Sequence, residues 1–386
     1  NQLQNARDSK KIQIDNLFAD CQAELNVLCN TVSTMLLEAT DKISTVQTFK
    51  KRQLEQYFND RIQQVKLITA NRNLVTAFLS LIPAYENGGI EGEEWKQQDQ
   101  LFSPFLKSFL ETYSDSDLYL LSPSGDVVWS VAKKAELGSN LLNGSLKGSG
   151  LAQVFVKGKE GIHFQDYRKY EPAAGFASFM AGPVLGDNQE LLGVLAIHLS
   201  NDPIQNIAHQ RESLRETGDT YFVGKLDEVI AFRSDVLTAG EKNAIFKIGY
   251  PMKTPYIEKA IAGTSGRELS MDTLGNPVIV AYDPIEIEDV SWACVTKINF
   301  EEILTTKTEE QKSDFFQGFI EKYNYKDLLL FNSTGFAFYS VAHNPDYHTN
   351  FLKDAYSNTN LGEAVKNIFQ NKTATFADFR PYEPCK

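Results

Sequence analysis

The first 82 residues show the three- and four-residue spacing of apolar positions that marks an amphipathic helix. Ile14, Leu17, Leu25 and Leu28, and later Leu54, Phe58, Ile62, Val65 and Ile68, carry the stripe. No helix breaker interrupts it. All 24 Gly and all 13 Pro lie beyond position 82, beginning with Pro83 and Gly88. At 1.5 Å per residue a continuous helix of this length would reach about 120 Å. The pattern predicts either a stalk or two helices broken near 41–48, where Thr, Ser and β-branched residues collect. The stripe must pack on a partner helix or on the globular part.

From Leu118 the period shortens to that of strands. Residues 118–121 and 127–131 flank the turn Ser122-Pro123-Ser124-Gly125-Asp126, a hairpin signature. A Gly/Ser/Asn-rich stretch (138–150) and a short helix (151–156) follow. Strands are then expected at 164–170, 176–183 and 192–199, and a helix at 203–215. The same order returns: strands at 221–224 and 229–233, a helix at 255–262, and strands at 266–271, 278–284 and 292–298.

The sequence also repeats itself at an offset of 210. Phe105, Phe109, Glu111, Tyr113, Asp117, Leu118 and Leu120 recur as Phe315, Phe319, Glu321, Tyr323, Asp327, Leu328 and Leu330. Gly125, Ser130, Val131, Ala132 and Leu151 recur as Gly335, Ser340, Val341, Ala342 and Leu361. After a two-residue insertion, Phe164, Asp166, Arg168, Tyr170, Glu171 and Pro172 recur as Phe376, Asp378, Arg380, Tyr382, Glu383 and Pro384. The later copy lacks counterparts of the strands at 176–183 and 192–199, so either the chain is cut there or another element completes the sheet. A fainter echo links Lys10, Lys11, Gln13, Phe18 and Asp20 to Lys50, Lys51, Gln53, Phe58 and Asp60 at an offset of 40. Duplication and the chance echo of two helical patterns both account for it.

Composition narrows the function. The 386-residue chain is of ordinary globular make-up, with 42% hydrophobic and 23% charged residues. Its net charge of −12 and the lack of a basic stripe argue against a nucleic-acid partner. No run of about 18 apolar residues exists, so no segment of the sequence reads as membrane-spanning. The start at Asn1, without Met or leader, reads as an excised or processed piece. Cys21, Cys29, Cys294 and Cys385 lack CxxC spacing, and Cys21 and Cys29 lie about 12 Å apart along a helix, too far for a disulfide. No phosphate loop, nucleophile elbow or paired histidine is present, so no catalytic residue, metal site or cofactor is expected.

A small-molecule pocket is the better expectation. Simple alternation places Phe164, Asp166, Arg168 and Tyr170 on one face of a strand and Gln165, Tyr167 and Lys169 on the other. Asp166 and Arg168 would suit the two ends of a zwitterion; the alternative is a structural ion pair between them. Trp129, Ser130, Asp166, Tyr167, Arg168 and Tyr170 are the candidate ligand-binding residues, with core packing the alternative for each. His198 reads as a core histidine. Arg233 and Asp235 read as a structural charge pair.

These stretches resemble a known family. Residues 164–172, 176–184 and 192–199, Arg215-Glu-Thr-Gly-Asp-Thr-Tyr-Phe-Val-Gly224 with Phe232-Arg-Ser-Asp235, and Gly275–Pro284 with Trp292 are similar to the double Cache sensors of bacterial transmembrane receptors. Those occur in chemoreceptors, histidine kinases and nucleotide cyclases. The amino-acid-binding Arg-x-Trp-Tyr pattern of that family is absent. The resemblance implies an α+β chain: a long N-terminal helical arm (1–85), a membrane-distal PAS-like Cache module (86–210), a membrane-proximal one (211–303) and an incomplete repeat (304–386), each module built on an antiparallel sheet. It implies the periplasmic or extracellular portion of a membrane-anchored receptor that binds a small molecule, dimerises through its N-terminal helices and transmits a helix shift. A non-sensing adhesion or dimerisation module is the alternative.

Overall fold

The computed structural model describes residues 2–385 except 212–213, 238–243, 288–289 and 306–314. The N-terminal stripe forms one helix, α1 (Gln2–Thr69). Of the two alternatives, the unbroken helix holds through 41–48 and the break there does not form, for a local reason. The hydroxyls of Thr40 and Ser44 donate to the carbonyls of Leu36 (2.7 Å) and Thr40 (2.6 Å), so these residues satisfy themselves inside the helix instead of capping it. The chain breaks instead at Asn71, whose side chain accepts from the Asn73 amide and caps α2 (Arg72–Gly88). The arm expected to end at 85 therefore ends inside α2, a helix with its own buried face of Leu74, Ala77, Phe78, Leu81 and Ala84.

The chain then runs through α3 (Glu93–Tyr113), β1 (Asp117–Leu121), β2 (Val127–Ser130), α4 (Gly150–Gly158), β3 (His163–Tyr170), β4 (Gly175–Leu185), β5 (Leu191–His198) and α5 (Asp202–His209). Next come β6 (Asp219–Leu226), β7 (Val229–Phe232), β8 (Val236–Leu237), β9 (Ala244–Phe246), α6 (Pro255–Ile261), β10 (Gly266–Met271), β11 (Pro277–Ile287) and β12 (Val290–Asn299). It closes with α7 (Phe300–Leu304), α8 (Phe315–Tyr323), β13 (Leu329–Phe331), β14 (Ala337–Ser340) and α9 (Asn360–Asn371). The chain is α+β, with a long N-terminal helix and partly repeated sheet modules.

Two compact units divide it: Thr45–Gly266 with Ala281–Thr296, and Asn1–Ser44 with Arg267–Val280 and Lys297–Lys386. In the first, β1–β5 form an antiparallel sheet of order β2-β1-β5-β4-β3. One face packs on the helices through Leu54, Phe58, Phe78, Leu106 and Trp129. The other packs on α4 and the loop after β2 through Leu121, Leu141, Val154, Phe155 and Phe179. The central β5 runs close beneath α2: a Cβ on Gly193 would lie 2.3 Å from the Leu121 carbonyl oxygen and 2.6 Å from the Phe78 ring. Only glycine fits there.

A second five-stranded sheet has the order β10-β11-β12-β6-β7, with β6 and β7 antiparallel. The other unit contains the ion pair of half-buried Lys297 with the buried Asp272. It also contains a small core of Ala337, Phe351 and Val365 under the two-stranded sheet β13-β14.

Candidate functional site

Strand β3 does not alternate as the sequence pattern predicts. Its pairing with β4 slips between Gln165 and Arg168, giving Phe164↔Met180 and Gln165↔Phe179 on one side of the slip and Arg168↔Ala177 and Tyr170↔Gly175 on the other. A bulge takes up the extra residue and re-aims the side chains beyond it. Phe164 and Tyr167 join the helix-facing core. Gln165, Arg168 and Tyr170 oppose residues of the α4 face, where Ala177, Phe179 and Tyr170 are buried. Asp166 does not share that face with Arg168, which corrects the expected arrangement.

Asp166 turns instead to the second module. The Arg233 guanidinium donates from Nε to Oδ1 (2.8 Å) and from Nη2 to Oδ2 (2.7 Å). The two side chains are 2% and 1% exposed. The expected Asp166–Arg168 and Arg233–Asp235 pairs are therefore both replaced. Arg168 reaches Asp227 at 3.4 Å, and the Asp235 carboxylate accepts from the Ile248 amide at 2.9 Å. Beside the buried pair, Trp292 stacks on Tyr167 (6.1 Å between ring centroids) and takes the edges of Phe58 (5.5 Å) and Phe164 (6.0 Å). Helix α1, strand β3 and strand β12 thus meet in one aromatic cluster. Gly224 makes room for it: a Cβ there would stand 2.7 Å from the indole of Trp292 and 2.9 Å from Arg233 Nε.

On the α4 face a second polar group assembles. Glu136, on the loop after β2, is buried, and its Oε1 accepts from the hydroxyls of Tyr119 (3.2 Å) and Tyr170 (3.3 Å). Its Oε2 is buried and accepts no hydrogen bond. Asp117, at the start of β1, spends Oδ1 on the amides of Leu118 (2.8 Å) and Ala132 (3.0 Å). Its Oδ2 is buried without a bond of good geometry, although the Tyr119 hydroxyl lies close to it. Burial raises the pKa of Asp117 and strongly raises those of Tyr119 and Tyr170, so both phenols stay protonated donors. Two residues before Tyr170 on β3, Arg168 has a buried Nε that finds no acceptor, and its Nη2 reaches Asp227. His198 lies against the Phe179 and Tyr170 rings (5.1 and 6.1 Å).

Burial, helped by nearby Lys134, lowers the His198 pKa to about 4. The unfolded chain binds this proton near pH 6.5 and the folded one does not. The His198 contribution to stability is therefore complete above about pH 6.5 and declines as pH falls toward 4. In an NMR titration the His198 ring is expected to stay neutral down to pH 5. A midpoint above 6 would show that the ring is not buried as described.

Of the candidate residues, Tyr170 belongs to this cluster, while Arg168 opposes Ala177 on the same strand and reaches Asp227. Ser130 lies at the margin of the cluster, pairing across to Tyr119, with its hydroxyl accepting from the Lys133 amide at 3.0 Å. Trp129, Tyr167 and Asp166 lie elsewhere. Trp129 and Tyr167 belong to the helix-facing core, and the Trp129 indole donates to Asp99 at 2.7 Å. Sequence reasoning left Asp117, Tyr119 and Glu136 outside the candidate set, while His198, read as a core histidine, packs against Phe179 and Tyr170. The repeat carried a signal for two of them: Asp117 recurs as Asp327, and the Glu136 position keeps an acid, Asp346. A shallow groove of about 370 Å³ beside β7, lined by Glu228, Ile230, Met252, Lys253 and Glu258, has no buried polar group of this kind. No group of metal-binding side chains occurs among the described residues, and no described helix is long and apolar enough to cross a membrane.

No family model and no curated protein matches the chain. Several solved structures resemble it. The ligand-binding domain of the Campylobacter jejuni chemoreceptor Tlp3, solved with L-valine, is 11% identical with a TM-score of 0.47. It covers 71% of this chain and 97% of its own. The periplasmic sensory domain of the C. jejuni chemoreceptor Tlp1 is 14% identical with a TM-score of 0.46 (71% and 100% covered). The ligand-binding domain of the Pseudomonas fluorescens chemoreceptor CtaA, solved with L-alanine, is 13% identical with a TM-score of 0.42 (68% and 98% covered).

Proposed function

We propose that the chain is the ligand-sensing region of a membrane-anchored receptor, lying outside the cytoplasm, and that it takes a small molecule carrying an amino group on the α4 face of the first module. The observation that carries this reading is Glu136. A buried carboxylate with one oxygen held by two phenols and the other unbonded is costly unless a cation completes it. A primary ammonium offers three donors to Glu136 Oε2 and Asp117 Oδ2. The Arg168 guanidinium at the rim suits a carboxylate on the same ligand.

The same strand supports transmission. Arg168 and Tyr170 face the site, while Phe164 and Tyr167 of β3 hold Phe58 of α1 and Trp292 on the opposite side. A ligand that draws β3 toward α4 pulls on α1 through this cluster. Shifts of an ångström or two in a helix are an established switching mode. Exposed Leu3, Ile14 and Leu17 on α1 suit a homodimer through these helices.

A thermal-shift comparison tests the ligand class. Small primary amines and zwitterions are expected to raise the melting temperature progressively with concentration, whereas their N-acetylated counterparts are not. Equal shifts from both sets, or none from a broad panel, would remove the proposal.

A further inference from the structure

The loop that carries Glu136 recurs in the C-terminal repeat with its bonds intact. Ser139 Oγ donates to the Glu136 carbonyl at 2.5 Å, and Thr349 Oγ1 donates to the Asp346 carbonyl at 2.6 Å. Asn140 Nδ2 donates to the Ser124 carbonyl (3.2 Å) and Asn350 Nδ2 to that of Thr334 (2.9 Å). The Leu141 amide meets the Gly125 carbonyl as the Phe351 amide meets that of Gly335, both at 2.8 Å. Asp327 Oδ1 accepts from the Leu328 and Ala342 amides as Asp117 Oδ1 does from Leu118 and Ala132. β13 pairs with β14 in the register, and with the irregularity, of β1 with β2. The acid at 346 is therefore held as the acid at 136 is held.

Its bonding repeats too. Asp346 is 1% exposed. Its Oδ2 accepts from the Tyr382 hydroxyl at 2.5 Å, as Glu136 Oε1 does from the counterpart Tyr170. Its Oδ1 is buried and accepts no hydrogen bond, like Glu136 Oε2. In the first module the phenols on Glu136 come from β1 and β3, and β4 and β5 leave Oε2 bare. The bare oxygen is thus a property of the loop and not of the sheet beside it.

Two differences set the ligand. Leu329 stands where Tyr119 does, so one phenol serves the acid in place of two. Asp327 Oδ2, unlike Asp117 Oδ2, accepts from the Ser340 hydroxyl at 2.8 Å. Asp346 Oδ1 is then the single carboxylate oxygen left to a ligand. Arg380 is exposed and pairs with Glu363 at 2.9 Å, so it holds no buried donor in wait for a ligand carboxylate.

We propose that the repeat holds a second ammonium site, centred on Asp346, which takes a small primary amine with no need of a carboxylate. The inference rests on the reading of Glu136 as an ammonium acceptor. A buried carboxylate oxygen without a partner is costly, and a primary ammonium brings both the opposite charge and the missing donor. The segment that supplies Tyr382 also supplies Phe376, which meets Phe18 of α1 edge-on at 4.6 Å, as Phe164 meets Phe58 at 4.8 Å. The helical echo at an offset of 40 is met by these contacts, so one helix carries the aromatic contact of both sites.

Hydrogen exchange of the full chain with methylammonium chloride tests the site and locates it. At saturation, amides of 345–350 are expected to exchange at least about threefold more slowly. Tetramethylammonium, a cation without an N–H donor, should give no protection there. Asp346→Asn keeps an acceptor for Tyr382 and should lose the protection while exchange at Ala337–Ser340 stays as in the parent. Asp346→Glu keeps the charge and should retain part of it. Protection that survives in Asp346→Asn, that disappears from both variants, or that tetramethylammonium matches overturns the proposal. Protection at 134–139 without any at 345–350 also overturns it and leaves the Glu136 site standing. Protection at 345–350 alone supports Asp346 and removes the reading of Glu136.

Discussion

Arg233→Ala is expected to destabilise the first unit by about 3–5 kcal/mol, the range seen when one partner of a buried ion pair is removed. The pair is suited to a large effect. Asp166 accepts three hydrogen bonds from Arg233, at 2.7, 2.8 and 3.0 Å, and one from the Tyr167 amide at 2.7 Å. Both side chains are almost wholly dry. Without the guanidinium the carboxylate keeps only the amide and remains buried beside the aromatic cluster. The paired charges need not themselves be the source of stability, since apolar replacement of a whole buried pair often costs little. The double variant Asp166→Leu/Arg233→Met is thus expected to recover much of the loss. Urea unfolding of the full chain measures both. A single variant within about 1 kcal/mol of the parent, or a double variant worse than the single, would refute this account of the junction.

The modules were legible in the sequence because turn chemistry and alternation agree along most of their length. The strands expected at 164–170, 176–183, 192–199 and 266–271 all form, within one or two residues at each end. The helix expected at 203–215 is shorter, ending at His209. The sequence left a stalk and a break near 41–48 both open, because Thr and Ser side chains are ambiguous: the hydroxyl that caps a helix also bonds back inside one.

The site was half legible for a different reason. Period-2 alternation assumes an unbroken ladder, and the slip in β3 inverts faces midway, sending Asp166 to Arg233 and leaving Arg168 with Tyr170. Glu136 could not be placed by periodicity, since it stands on a loop and reaches the site through tertiary structure alone.

Glu136→Gln separates ligand binding from folding. In the unliganded chain the amide oxygen of Gln can still accept from the Tyr119 and Tyr170 hydroxyls, and a buried charge is gone, so stability is expected to be unchanged or slightly higher. Binding of an amine loses a charge-assisted hydrogen bond worth about 1.5–3 kcal/mol, which weakens Kd by roughly 10–150-fold. The melting shift produced by primary amines on the parent chain should therefore nearly vanish at the same concentration. Glu136→Asp, one methylene shorter, keeps the charge and should retain part of the shift. An unliganded Glu136→Gln chain that melts several degrees lower, yet responds to amines like the parent, would make Glu136 a structural anchor for the two tyrosines. The amine site would then have to lie elsewhere.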